Sequence, residues 1–308
     1  MTRKDLLGLK DLNSNEIVAI LDATKQIKKL FSVGAQKTGQ LNGKSVTTIF
    51  YENSTRTRMS FDAASSFLGA NSSFIAASAS SISKGETLID TAKNLDAMLP
   101  DAIIIRHPIA GAPELLAKNV RASVINAGDG TNEHPTQALL DMFTMRERFG
   151  QIKGLKVTMC GDIKFSRVAR SNIWGLNKLG ASVTVCAPKT LLPKDIEKFG
   201  VTVECNPDKA LKDADVVMGL RIQAERQSGG MFPSTAEYAK YFGVTSKRME
   251  LANKNALVMH PGPANRGVEM SSDVIDSSNS VILDQVTNGV AVRMAILQLL
   301  IGSKGGKR

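Results

Sequence analysis

Two patterns alternate along this chain: apolar positions at helical spacing, and short runs of aliphatic and β-branched residues bounded by Gly, Pro, Asn and Asp. The first helix is signalled by Asn13 or Ser14 as cap and Glu16 behind it. Ile17, Ile20, Leu21, Ile27 and Leu30 then fall close to helical spacing, and Gly34 and Gly39 close the segment. The pattern next predicts strand 45–51, helix 55–68, strand 72–76, helix 87–98, strand 102–105, helix 112–118, strand 122–126 and helix 135–149. Parallel strands require crossovers, so this alternation predicts a parallel sheet covered by helices. Residues 150–154, with Gly at both ends, are the expected hinge.

A second series follows. It reads as strand 155–160, a strand-to-helix turn with Ser166 and Arg167, strand 182–186, helix 193–199, strand 201–204, helix 207–212 and strand 214–218. Strand 256–259 then runs into the turn His260-Pro261-Gly262-Pro263. In the closing helix, 285–301, Val286, Val290, Met294, Leu297 and Leu300 lie on or near one face, interrupted by Arg293 and Gln298, a stripe of core type. The expected fold class is α/β, with two doubly wound parallel-sheet domains.

Composition narrows the function. At 308 residues, 43% hydrophobic and 22% charged, the chain can bury a large core and divide into two domains. No apolar run reaches the roughly 18 to 20 residues of a membrane span, and Met1-Thr2-Arg3-Lys4-Asp5-Leu6 lacks the apolar core of a signal peptide. A cytoplasmic protein with no membrane partner is expected. Cys160, Cys186 and Cys205 are odd in number and show no CxxC or CxxH spacing, so neither a disulfide framework nor a metal site is expected. The net charge of +10 comes with only 5% aromatics and no basic stripe interleaved with them. A small anionic substrate therefore explains the clustered arginines better than nucleic acid.

The sharpest cluster is Ser54-Thr55-Arg56-Thr57-Arg58, between a β-rich run and a helix. A helix start offers unpaired N–H groups and the positive end of a dipole, and Arg adds a planar fork, which together suit a phosphate. The plain alternative is a capped helix with a solvated basic turn. Further blocks follow in order: Ser83-Lys84-Gly85-Glu86-Thr87, Arg106-His107-Pro108, His134-Pro135-Thr136-Gln137, Asp162-Ile163-Lys164-Phe165-Ser166-Arg167, Arg221-Ile222-Gln223 and His260-Pro261-Gly262-Pro263. Alone, His134 would be a buried or capping histidine, Gln137 a polar face and Lys84 a solvated loop residue. Together the series resembles the carbamoyltransferases, and its second half the aspartate carbamoyltransferase catalytic chains, over essentially the whole sequence.

The resemblance implies transfer of a carbamoyl group from carbamoyl phosphate to the amine of L-aspartate, without metal or organic cofactor. Ser54, Thr55, Arg56 and Thr57 would hold the phosphate. Thr57, Arg106 and His134 would converge on the carbonyl oxygen, and Gln137 with the carbonyls around Gly262 and Pro263 would take the carbamoyl NH2. Arg167 would bind the α-carboxylate of aspartate, and Arg221 with Gln223 its β-carboxylate, assisted by Lys84. Arg58 would tie its loop through a carboxylate such as Glu86. The resemblance also implies a first domain of 1–149 plus 285–308, a second of 150–284, and a homotrimer in which Lys84 and Ser80 or Ser81 complete a neighbour's site. It leaves a separate regulatory chain open. Three other readings compete with it. An ornithine carbamoyltransferase would carry a Ser-Met-Gly loop and a Cys in the 260–263 turn, both missing here. A dinucleotide-dependent oxidoreductase lacks its GxGxxG turn after strand 155–160. An inactive carbamoyltransferase-like binding protein sits poorly with an intact set of ligand positions.

Overall fold

Asn13 is the cap of the first helix: its Oδ1 accepts the Glu16 N–H at 2.9 Å, and its own N–H donates to Glu16 Oε2 at 2.9 Å. This reciprocal box starts α1 (Ser14–Phe31). The computed structural model describes residues 3–31, 37–76, 85–223 and 234–302. Gly34, Ser80, Ser81 and Lys84 lie outside them. The chain divides into two units, Met1–Leu140 with Val286–Arg308, and Asp141–Gln285. The division falls inside the helix Pro135–Phe149.

The first unit carries β1 (Ser45–Phe50), β2 (Asn71–Ala76), β3 (Ala102–His107) and β4 (Ser123–Asp129), all parallel, in the order β2-β1-β3-β4. The crossovers are α2 (Thr55–Leu68), α3 (Leu88–Ala97) and α4 (Ala112–Asn119), and α5 (Pro135–Phe149) follows β4. β4 is not left as a bare edge, because Leu6 donates to the Val124 carbonyl and accepts from Asn126 N–H, each at 2.9 Å. Register pairs Phe50 with Arg106, so the segments after β1 and β3 leave the same edge of the sheet, where ligands bind in parallel α/β folds.

The second unit is a five-stranded parallel sheet, β5 (Lys156–Gly161), β6 (Ser182–Cys186), β7 (Thr202–Glu204), β8 (Val216–Leu220) and β9 (Leu257–Met259), in the order β7-β6-β5-β8-β9. Its helices are α6 (Arg167–Lys178), α7 (Pro207–Leu211), α8 (Thr235–Phe242), α9 (Ser246–Met249) and α10 (Ser272–Ile275). Cys160 and Cys186 are buried register partners on β5 and β6. The helix expected at 193–199 is instead a single 3₁₀ turn, Ile196–Phe199, because Asp195 before it adopts φ 57°; another 3₁₀ turn, Lys189–Leu191, precedes it.

The last helix, α11 (Ile282–Leu297), returns the chain to the first unit and ends in a π-helical turn, Gln298–Gly302. Its burial is not a single stripe: Ala291 to Leu297 are all buried, whereas Val286, expected on the core face, is half-exposed. Contrary to the sequence expectation, Ile282–Gly302 is long and apolar enough to cross a membrane, but 67% of its 18-residue apolar window is buried in the protein. It is a core helix. Arg293 belongs to that core: it donates to Ser60 Oγ and to the Gly289 carbonyl at 3.0 Å, and to Thr136 Oγ1 at 3.3 Å, and its guanidinium lies 5.0 Å from the Phe61 ring. The helix thereby packs on α2 and α5.

Candidate active site

At the start of α2, Ser54 is the N-cap, in an extended conformation and with no side-chain cap hydrogen bond. The first-turn N–H groups are thus not satisfied by the side chain of their own cap, which leaves this helix start able to receive an anion. Thr57 is buried, and Thr55 and Arg56 are exposed on the same turn. Arg58 does not reach Glu86. Its guanidinium sits 3.4 Å from the Phe74 ring centroid and 3.8 Å from Asp62, one helical turn on, while Glu86 accepts from Asn94.

Arg106, at the end of β3, is aimed by a carboxylate that the sequence did not single out: its Nε lies 3.3 Å from Glu52 Oε2. Its Nη1 donates to the Ala127 carbonyl at 3.4 Å. The next residue, His107, packs its ring 4.4 Å from that of Tyr51 and accepts the Ile109 N–H at 3.0 Å. Burial holds the His107 imidazole below its ordinary value and pushes the Tyr51 hydroxyl above its own.

His134 owes its position to Asp129. Asp129 Oδ1 accepts from Asn126 Nδ2 at 2.8 Å and from the Glu133 N–H at 3.0 Å, and Oδ2 accepts from the Gly111 N–H at 2.8 Å and Asn132 Nδ2 at 3.0 Å. The loop between these donors includes Gly130 at φ 48°, where a Cβ would stand 2.9 Å from the backbone of Pro108 and Ala110. Only glycine fits there. Glu133 in turn accepts the Leu9 and Lys10 N–H groups at 2.8 and 3.0 Å. His134 then begins α5 with its carbonyl accepting from Gln137 and Ala138, and both His134 and Gln137 are buried.

In the second unit β5 and β8 end side by side. Gly161, at φ 140°, pairs with Leu220 so closely that a Cβ would collide with the Leu220 carbonyl. The buried Asp162 then joins the two following turns: its Oδ1 accepts the Phe165 N–H at 3.0 Å and its Oδ2 the Gln223 N–H at 3.1 Å. Ser166 caps α6 by accepting the Ala169 N–H at 3.1 Å, which sets buried Arg167 in the first turn. Arg221 Nη2 and Gln223 Oε1 are 3.4 Å apart.

The turn with Gly262 and Pro263 is also tied from below. His260 Nδ1 accepts the Gly262 N–H at 2.8 Å, so its Nε2 carries the proton and donates to Glu269 Oε1 at 3.1 Å. The His260 N–H goes to Gln285 Oε1 at 3.0 Å, Gln285 Nε2 to Asp141 Oδ1 at 2.8 Å, and Asn172 Nδ2 to the other Asp141 oxygen at 2.8 Å. Glu52, Asp129 and Glu269 all escaped the sequence reading, because a carboxylate facing donors far away in the chain leaves no local pattern. No group of three or more His, Cys, Asp or Glu among the described residues is arranged to hold a metal ion.

A doubly wound α/β protein with an arginine-bearing helix start on one unit and an arginine-bearing pair of turns on the other is built to bind anionic small molecules. Residues 4–147 match the family model described as aspartate/ornithine carbamoyltransferase, carbamoyl-P binding domain, and residues 153–300 match that of the Asp/Orn binding domain. The chain belongs to the aspartate/ornithine carbamoyltransferase family. It is 61% identical over 297 residues to the aspartate carbamoyltransferase catalytic subunit of Ruminiclostridium cellulolyticum, covering 96% of this chain and 95% of that one. The fold matches the catalytic subunit of M. jannaschii aspartate transcarbamoylase with TM-score 0.86 at 36% identity, over 99% of this chain and 100% of that chain. It matches ornithine carbamoyltransferase from Pyrococcus furiosus with TM-score 0.87 at 35% identity, over 99% and 98%.

Proposed function

We propose that this chain transfers the carbamoyl group of carbamoyl phosphate to the amine of L-aspartate, giving N-carbamoyl-L-aspartate and phosphate, an early step of pyrimidine biosynthesis in the cytoplasm. Backbone shape does not choose the acceptor, since the aspartate and ornithine enzymes match it equally well. The observation that carries the choice is the Asp162 bridge, which fixes the turn of Arg167 and the turn of Arg221 and Gln223 to each other. Two cationic forks suit the two carboxylates of aspartate and repel the ammonium of ornithine.

In this reading Ser54, Thr55, Arg56 and Thr57 bind the phosphate of the donor. Thr57, Arg106 and His134 stabilise the oxygen that gains charge as the amine attacks, the state in which fixed donors accelerate the reaction most. Gln137 and the carbonyls around Gly262 and Pro263 receive the carbamoyl NH2. The new C–N bond forms as the C–O bond to phosphate breaks, and the amine proton passes to the departing phosphate or to Lys84. The functional form is a homotrimer whose sites borrow Lys84 and Ser80 or Ser81 from a neighbour. The test is phosphate release by the purified protein with carbamoyl phosphate and either amino acid. Aspartate should be the good acceptor without added metal or cofactor, and equal turnover of ornithine would overturn the assignment.

A further inference from the structure

The turn that follows β9 is closed by one buried carboxyl oxygen. Glu269 Oε1 accepts from His260 Nε2, at the first residue of the turn, and from the backbone N–H of Asn265, at its far end, at 3.1 and 2.5 Å. The same imidazole, through Nδ1, holds the Gly262 N–H at the tip. Glu269 is itself anchored. Its carbonyl accepts the Val244 N–H at 3.0 Å, and Ser271 N–H donates back to the Val244 carbonyl at 3.0 Å, so the residue sits on a short parallel bridge. Its side chain and that of His260 are fully buried. Its second oxygen, Oε2, takes no donor. A buried acidic group satisfied on only one oxygen is a poor source of stability compared with an apolar side chain of similar size. Its geometric effect is specific: it fixes the tautomer of His260, which holds the Gly262 N–H in the turn that carries the Pro261, Gly262 and Pro263 carbonyls.

We infer that Glu269 is a positioning residue for donor selection, acting through His260 to aim these carbonyls at the NH2 of the carbamoyl group. The inference rests on the proposed role of Gly262 and Pro263. A carbonyl acceptor rewards an N–H and leaves a methyl group indifferent. The aimed turn therefore separates carbamoyl phosphate from acetyl phosphate, which has the same phosphate and carbonyl but a CH3 in place of the NH2.

The experiment measures the dissociation constants of both phosphates by calorimetry for the full-length protein and for Glu269→Gln, Glu269→Asp and Val274→Ala. Gln keeps an oxygen where Oε1 stands and should stay within about threefold of the wild type for both ligands. Asp, shorter by one methylene, cannot reach both His260 and Asn265. It should weaken carbamoyl phosphate about tenfold and acetyl phosphate less than twofold. Val274→Ala removes apolar packing elsewhere in this unit and should lower the unfolding midpoint while leaving both constants unchanged. Equal weakening of the two ligands in Glu269→Asp, or no weakening, overturns the inference. Failure of the wild type to prefer carbamoyl phosphate over acetyl phosphate would instead overturn the role assigned to the turn. If Glu269→Asp does not fold, His260→Gln is read by the same ratio.

Discussion

The carboxylate of Asp162 accepts the backbone N–H of Gln223 at 3.1 Å, so the end of one strand dictates where the turn after another strand can lie. Its other oxygen holds Phe165, two residues before Arg167. Replacing Asp162 by Asn turns one of these acceptors into a donor facing an N–H. The KM for aspartate should rise about tenfold, the effect of one broken buried hydrogen bond, with a smaller change in the KM for carbamoyl phosphate. Initial-rate kinetics in both substrates check this, and an unchanged aspartate KM would separate Asp162 from acceptor binding.

Binding and chemistry should part among the arginines. Arg106→Ala and His134→Ala are expected to lower kcat by roughly 10² to 10³, the effect of losing one donor to a developing oxyanion. His134 should fall at the lower end, because in the proposed arrangement two other donors share that oxygen. Arg221→Ala should act mainly on aspartate saturation, which steady-state kinetics will resolve.

Lys84 is expected to act on a neighbouring subunit. Lys84→Ala and Arg56→Ala proteins should each be nearly inactive, and unfolding and refolding the mixture should restore activity. Random assembly of a closed ring makes about a quarter of the sites whole. Mixed trimers that stay inactive while each variant remains folded and trimeric would place Lys84 in its own chain's site.

Arg293 predicts a stability effect. Its guanidinium satisfies Ser60, Gly289 and Thr136 at once, and lysine cannot reproduce the fork. Arg293→Lys should cost about 2 kcal/mol of unfolding free energy, typical of buried hydrogen bonds to a charged group, read as a lower urea midpoint.

His107 predicts a pH effect. Burial lowers its folded-state value below the 6.5 of a free imidazole, so the unfolded chain binds the proton more readily. The favourable contribution is complete above about pH 6.5 and is lost as the pH falls towards the folded value. His107→Gln can still accept the Ile109 N–H and should flatten this part of the curve between pH 7.5 and 5.5. Urea melts across that range measure it.

Much of the fold was legible in the sequence, since strands that alternate with amphipathic helices admit few other arrangements. α2 and α5 begin and end where their periodicity predicts. The helices between β8 and β9 were not legible: α8 has eight residues and α9 four, too short for a period to show. At 193–199 the expected helix gives way to the 3₁₀ turn Ile196–Phe199, since the left-handed backbone at Asp195 has no strong signature in an Asp. At the site, the side chains proposed to touch substrate stood out as motifs. The carboxyls that aim them did not, since Glu269 shows its purpose only once folding has brought His260 and Asn265 to it.

The return of α11 to the first unit makes that unit discontinuous in the chain. The residues of the second unit, Asp141–Gln285, are contiguous and have all been synthesised before Val286 is added. The first, though begun earlier, has its core complete only when Arg293, from the other end of the chain, lies against Phe61 and Thr136. The segment bearing Ser54, Thr57 and His134 is thus made early and shares its unit with a helix made last. A polypeptide ending at residue 285 would hold every residue of the second unit and leave the first without most of α11.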